Sequence, residues 1–223
     1  MKVAALIPYW IDYHKMSEGH SNLKKLGGSY LINYAIKLLK RVPRIDEIFI
    51  YASNDSVMQL IDEKDGFTYL QRPSWLDNKS VVIEDIIDSF IQQVETENVV
   101  LLHPNSPFLQ TATISDCLAP VLAGEYDSAF TACKYPKFCW YKGKPLNYVF
   151  TENTPRPSEV EPIFIEQGSL YVFSTNAYKA NRKRVSPHPY IKCIDHFEGH
   201  EINADEDFQI AELIVNAGMF SEI

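Results

Sequence analysis

Apolar and polar positions follow one another in two kinds of block. Short continuous apolar runs at Val3 to Pro8 and Val99 to His103 have the pattern of strands buried on both faces. Between them, Leu31, Ile32, Ala35, Leu38 and Leu39 recur at helical spacing, and Pro43 follows the end of that run. The full pattern predicts strands over 3–8, 45–51, 67–70, 99–103, 127–133 and 163–173. It predicts helices over 29–39, 55–65 (stopped by Gly66), 79–95, 114–122 and 204–217. Alternating strand and helix implies right-handed crossovers and a mostly parallel sheet covered on both faces, an α/β fold. In such sheets ligands sit outside the carboxyl ends of the strands. Loops 9–28, 52–55 and 103–109 leave those ends, so the cleft is expected there.

Residues 134–165 break the rhythm. They are rich in aromatics and proline, among them Tyr135, Phe138, Trp140, Tyr141, Tyr148 and Phe150. They read as an excursion within a single domain spanning 1–223. The excursion suits either a dimer contact or local packing.

Composition narrows the partners. The chain has 223 residues, 46% of them hydrophobic, enough for one sizeable core. With 21 Lys+Arg against 29 Asp+Glu the formal charge is −8. A nucleic-acid binder normally needs a basic stripe, and an anionic membrane surface attracts basic segments, so neither is expected as a partner. No stretch reaches the ~18 apolar residues of a membrane span. The start of the chain lacks signal-peptide features, and a cytoplasmic location is expected. Cys117, Cys133, Cys139 and Cys193 form no CxxC pair and are read as reduced, buried small hydrophobes. Asn181-Arg182-Lys183-Arg184 is read as a solvated helix end.

Six segments, in one order, resemble the N-acylneuraminate (sialic acid) cytidylyltransferases. Ala5-Leu6-Ile7-Pro8, followed by a loop to Asn22 and by Leu26-Gly27-Gly28, resembles the family's I-P-A-R-G-G-S-K, K-N and L-G-G. Tyr51-Ala52-Ser53-Asn54-Asp55 resembles V-S-T-D-D, and Arg72-Pro73-Ser74-Trp75-Leu76 resembles R-P-x-x-L. Leu102-His103-Pro104-Asn105-Ser106-Pro107 resembles L-Q-P-T-S-P, and Glu166-Gln167-Gly168-Ser169-Leu170-Tyr171 resembles E-N-G-A-I-Y. Glu201-Ile202-Asn203-Ala204-Asp205-Glu206-Asp207-Phe208 resembles D-I-D-T-E-E-D-F. The resemblance implies a three-layer Rossmann-like nucleotide-diphospho-sugar transferase fold with a mixed sheet, commonly a homodimer. It implies Mg²⁺-dependent transfer of CMP from CTP to an acidic sugar with release of pyrophosphate, feeding surface glycans.

It also implies roles for particular residues. Pro8, Tyr9, Trp10, Asn22, Arg72, Ser80 and Val81 would bind the nucleotide. An arginine offers a planar fork that can hydrogen-bond a base edge; Arg72 also fits a surface ion pair. Tyr9 and Trp10 could stack on the ligand or plug the strand end. Fourteen positions separate Pro8 from Asn22, two more than in the family. Trp10 stands where the family has its loop arginine and Ser21 where it has the lysine of K-N. Lys15 is the nearest substitute cation for the phosphates, with His14, Lys24 and Lys25 as other loop candidates. Glu201 and Asn203 replace the family's two aspartates. At i and i+2 they can face one Mg²⁺, though Asn203 with Glu206 also reads as a helix capping box. His103, Asn105, Ser106, Arg156, Gln167 and Tyr171 would line the sugar pocket. Arg156 would pair the sugar carboxylate, and His103 could act as a base near neutral pH.

Two further readings stand beside cytidylyl transfer. One is a catalytically degenerate homologue that binds nucleotide or sugar; the losses at Trp10, Ser21 and Asn203 motivate it. The other is a nucleotidyltransferase using another nucleotide or a neutral sugar.

Overall fold

The structure, a computed structural model, describes residues 1–10, 23–149 and 153–220. In chain order its main elements are β1 Val3–Pro8, β2 Lys25–Leu26, β3 Ser29–Tyr30, α1 Leu31–Lys40, β4 Glu47–Ala52 and β5 Thr68–Gln71. Then come α2 Ile83–Gln93, β6 Asn98–Leu102, α3 Thr111–Leu122, β7 Ser128–Tyr135, β8 Trp140–Tyr141 and β9 Lys144–Pro145. The chain continues with β10 Ile163–Ser174, α4 Thr175–Asn181, β11 Pro189–Ile194 and α5 Asp205–Asn216.

Seven strands form one sheet in the order β11-β7-β10-β6-β1-β4-β5. Neighbouring strands pair in parallel except at β10, which runs antiparallel to both β6 and β7. The expected α/β Rossmann-like fold with a mixed, mostly parallel sheet is therefore present. Alternation along each strand divides the core. Val3, Ala5 and Ile7 face a cluster with α1 and α3, whereas Ala4 and Leu6 face one with α2 and Tyr178 of α4. A third cluster lies beyond the sheet. Leu26, Phe108 and Ile202 pack there against Phe208 and Ala211 of α5.

Several elements differ from the pattern reading. The expected helix over 55–65 is a 3-10 segment, Asp55–Leu60. Asn33 of α1 stops it: its Nδ2 donates to the Leu60 carbonyl at 2.9 Å and its Oδ1 accepts from the Asp62 N–H at 3.0 Å. Helix α2 begins at Ile83 rather than Lys79, because Asp85 accepts from the Val82 N–H at 3.2 Å and Asn78, Lys79 and Val81 line the cleft instead. Strand β11 has no counterpart in the pattern. It opens with Pro189 and carries Lys192, the composition of an edge strand. Helix α4 has only seven residues, too short for a clear period.

Within 134–165, β8 and β9 form a small hairpin that exposes Trp140, Tyr141 and Leu146. The Asn147 amide holds its base, donating to the carbonyls of Lys137 (2.9 Å) and Glu161 (2.6 Å). The uniform reading of the cysteines is corrected: Cys117 and Cys133 are buried, whereas Cys193 is exposed on the edge strand.

Candidate active site

The carboxyl ends of β1, β5 and β6 lie at one edge of the sheet, and a cleft of about 580 Å³ opens there. Pro8 and Trp10 line it beyond β1, Arg72 beyond β5, and His103, Pro104 and Asn105 beyond β6. Leu76, Asp77, Asn78, Lys79 and Val81 form one wall, and Ile202 and Asn203 another.

Arg72 is placed by its backbone, whose N–H continues the sheet to the Ala52 carbonyl at 3.0 Å. Its side chain is almost wholly buried. Both Nε (3.1 Å) and Nη2 (2.6 Å) donate to Oδ1 of Asp77. The surface ion pair weighed for this residue is thus a buried one at the cleft wall. Val81 lines the same wall, but Ser80 is turned into an Asx turn. Its N–H and hydroxyl both reach Asn78 Oδ1 at 3.0 Å. Sequence reasoning missed Asn78 and Lys79, which line the cleft.

Trp10 reaches the cleft, whereas Tyr9 is buried in the core beside α1, its N–H bonded to the Tyr51 carbonyl at 3.0 Å. The strand-end plug is the better description of Tyr9. Lys15 and Asn22, with His14 and Ser21, lie outside the described residues. Lys24 is described. It forms an ion pair with Asp205 at 2.7 Å and lies over the Phe208 ring.

Residues 195–203 deliver the second wall. Asp195 Oδ1 accepts from the Phe197 and Glu198 N–H groups, at 2.9 and 2.8 Å. Gly199 lets this turn lie against β7; a Cβ there would come within 2.6 Å of Cys133 Sγ. The Ile202 N–H then bonds the Asn105 carbonyl at 2.8 Å. Its buried side chain contributes roughly 1.5–3 kcal/mol to holding the segment. Flanking Ile202, the carboxylate of Glu201 lies over Gly168, and Asn203 faces the cleft. Asn105 Nδ2 donates to Asn203 Oδ1 at 3.0 Å, and Asn203 Nδ2 contacts Glu201 Oε2 at 3.3 Å. Glu201 Oε1, Asn105 Oδ1 and Ser106 Oγ are buried with no hydrogen-bond partner among the described residues. Buried oxygens in that state demand a ligand, water or cation.

The capping reading of Asn203 with Glu206 needs correction. Ala204 is the N-cap of α5, and Asp207 Oδ2 accepts from the N–H groups of Asn203 (3.0 Å) and Ala204 (2.8 Å). The Asn203 side chain is left to the cleft. Among the described residues no group of three or more His, Cys, Asp and Glu could hold a metal. One carboxylate with amide oxygens still suits Mg²⁺, which completes its octahedron with water and phosphate oxygens.

At the other end of the cleft, the His103 N–H bonds the Ser169 carbonyl of β10 at 2.8 Å. Burial, and then the Arg184 charge, push its imidazole pKa down to about 4. It is neutral at physiological pH and too weak a base for the role considered for it. Gln167 is buried, with Nε2 donating to the Ile165 carbonyl at 3.3 Å, and does not line the cleft. The Tyr171 ring is buried and its hydroxyl donates to Glu166. Burial and that bond raise its pKa, so the phenol stays protonated. Arg156 is not brought to the cleft. It is 83% exposed and faces Glu159 at 3.6 Å. Arg184 was missed. Far from a solvated helix end, its guanidinium stacks 3.9 Å from the Tyr171 ring centroid and donates to the Tyr171 hydroxyl at 3.1 Å. Two residues earlier, Arg182 pairs with Asp85 and Asp88, both at 2.6 Å.

A cytidylyltransferase family model matches residues 20–209, most of the chain and both walls of the cleft. The chain belongs to the cytidylyltransferase family. This cytidylyltransferase fold is also seen in solved structures. A CMP:2-keto-3-deoxy-manno-octonic acid synthetase complexed with CTP matches at TM-score 0.70 and 12% identity, over 98% of this chain and 100% of that one. The 4-diphosphocytidyl-2C-methyl-D-erythritol synthase from Anaerococcus prevotii matches at 0.64 and 13%, over 96% of both chains. The bifunctional IspDF from Campylobacter jejuni matches at 0.63 and 13%, over 94% of this cytidylyltransferase but 54% of that chain. A search of curated protein sequences returned no match. No helix among the described residues is long and apolar enough to cross a membrane.

Proposed function

We propose that this cytidylyltransferase transfers CMP from CTP to an acidic, sialic acid-like sugar. The observation that carries the reading is the convergence of buried Arg72 with Asn105 and Asn203 on one cleft, where Asn105 Oδ1 and, on residues adjacent in sequence to the lining, Ser106 Oγ and Glu201 Oε1 have no hydrogen-bond partner among the described residues. A sugar hydroxyl oxygen attacks the α-phosphorus. The bond from that phosphorus to the bridging oxygen of the β-phosphate breaks, and pyrophosphate leaves. The hydroxyl proton passes to solvent.

Such a reaction depends on positioning and on charge around the phosphates. Arg72 and the 78–81 wall take the base, with Trp10 against the nucleotide. Lys15 and Asn22 take the phosphates. Glu201 and Asn203 hold Mg²⁺, which when bound neutralises developing phosphate charge. Neutral His103, Asn105 and Ser106 orient the acceptor, with Gln167 and Tyr171 as its supporting floor. The enzyme works in the cytoplasm as one domain and as a homodimer. Exposed Phe138, Trp140, Tyr141 and Leu146 in the 134–165 excursion support the dimer contact.

Incubation with CTP, Mg²⁺ and a panel of acidic sugars should release pyrophosphate with at least one. A second reading is nucleotide binding without transfer, favoured by the single carboxylate at positions 201–203. Calorimetric CTP binding with no pyrophosphate across the panel would establish it instead.

A further inference from the structure

We propose that Arg184 receives the carboxylate of the acceptor, its guanidinium offered from the Tyr171 ring at the end of the cleft marked by His103. The inference rests on the transfer reading and names the residue that makes its acceptor acidic.

Position comes first. Tyr171 pairs with Leu101 across β10 and β6, and the His103 N–H bonds Ser169 two residues before Tyr171. Arg184, stacked on Tyr171, therefore lies against the middle of β10, one residue short of where the carboxyl end of β6 pairs with it. The strand register thus brings Tyr171 beside the start of the segment that carries cleft-lining His103, and the Arg184 charge joins burial in lowering the His103 pKa. The floor beneath it is rigid: the Tyr171 hydroxyl donates to Glu166, and the ring stacks on Phe130.

Availability comes second. Arg72 and Arg182 each hold a carboxylate at 2.6 Å. Among the described residues Arg184 has one carboxylate partner, Glu166 at 3.9 Å, and Glu166 already accepts the Tyr171 hydroxyl hydrogen bond. The Arg184 side chain is a quarter exposed. Neighbouring His103 is neutral, so it adds no second cation to repel Arg184 and no anion to satisfy it. A guanidinium over an aromatic ring with a loose partner, and with only Nη2 bonded to the Tyr171 hydroxyl among the described residues, has further N–H donors for another planar anion. A carboxylate matches that fork with two parallel hydrogen bonds. The alternative assigned by resemblance, Arg156, has no such floor and stands at the surface.

The test uses the full chain with CTP and Mg²⁺. The acceptors are 3-deoxy-manno-octulosonate and N-acetylneuraminate, each against its methyl ester, with a phosphorylated polyol as a further arm. A charge-assisted pair corresponds to a preference for acid over ester of roughly 10–100-fold in kcat/KM. Arg184→Gln should remove that preference and raise the acid KM by a similar factor, with the CTP KM changed less than about twofold. Arg184→Lys should restore part of it, and an unchanged urea midpoint shows that the fold is intact. A readout without turnover is the His103 imidazole NMR signal, assigned by its loss in His103→Gln. It should shift on addition of 3-deoxy-manno-octulosonate to the CTP-loaded wild type and not in Arg184→Gln.

An acid preference that survives Arg184→Gln overturns the proposal. So does an equal rise of both KM values, or a phosphorylated polyol preferred over both sugar acids. If no acceptor releases pyrophosphate but the acid still shifts His103 in an Arg184-dependent way, the transfer reading fails and this one holds. If the acid shifts nothing, this one fails.

Discussion

Two arginines, Arg72 in the cleft wall and Arg184 on the Tyr171 ring, are held in opposite ways. Arg72 is buried and gives two N–H groups to one oxygen of Asp77. Arg184 is stacked on Tyr171, partly exposed, and among the described residues its ion-pair partner is Glu166 at 3.9 Å. A buried charge whose partner is fixed is a rigid hydrogen-bonding fork with its net charge cancelled. That suits a neutral ligand surface such as a base edge. A stacked arginine without a close anion keeps its charge, which suits an anionic ligand. The same residue type thus divides recognition of a neutral group from recognition of a charged one, and the division is set by what each side chain rests on.

The comparison can be broken most sharply at its buried end. Arg72→Ala should weaken calorimetric CTP binding by about 100-fold or more and lower stability in urea by about 2–4 kcal/mol. The latter is discounted from a fully buried pair because Asp77 is 28% exposed. Unchanged CTP affinity would make Arg72 a structural residue only. Between the two arginines, Glu201→Gln should raise the Mg²⁺ concentration for half-maximal pyrophosphate release about 10–100-fold. An unchanged Mg²⁺ response would reduce residues 201–203 to a lead-in for α5.

At the charged end, His103 offers a pH test with a definite sign. Its imidazole titrates near 6.5 in the unfolded chain and at about 4 when folded, so the unfolded state binds the extra proton across that window. His103's contribution to stability is complete above about pH 6.5 and is lost as pH falls toward 4. The loss is about 2 kcal/mol, discounted for partial exposure. The urea midpoint of His103→Gln should therefore fall less on acidification than that of the wild type. The smallest effect is expected at Asp207→Ala, which removes the acceptor for two N–H groups at the start of α5. It should cost about 1 kcal/mol in thermal unfolding while leaving CTP affinity unchanged.

Much of the fold was legible because buried parallel strands leave a strong apolar signal. Val3–Pro8 and Asn98–Leu102 are buried throughout. Strand β11 was not legible, since an edge strand needs no apolar run and tolerates Pro189 and Lys192. The expected helix over 55–65 failed for another reason: Asn33, about thirty residues away in sequence, takes the backbone groups that would have continued it. The site divided similarly. Motif order brought Pro8, Trp10, Arg72, Val81, His103, Asn105 and Asn203 to one cleft. It could not separate Trp10 from Tyr9, because adjacent residues at a strand end point to opposite sides, or foresee that Ser80 is drawn into hydrogen bonds with Asn78 Oδ1.

The sequence by itself determined the α/β class, the edge of the sheet where the cleft opens and the broad cytidylyltransferase family. Periodicity and motif order are properties of the chain alone, and they survive a change of individual side chains. Only the tertiary structure decided which cations are spent and which are available. Nothing local distinguishes Arg156, Arg182 and Arg184, which all sit in polar stretches. One is exposed beside Glu159, one is bound by two aspartates of α2, and one is laid on an aromatic ring beside a neutral histidine. Charge availability depends on partners brought from other elements, and those partners exist only once the chain has folded.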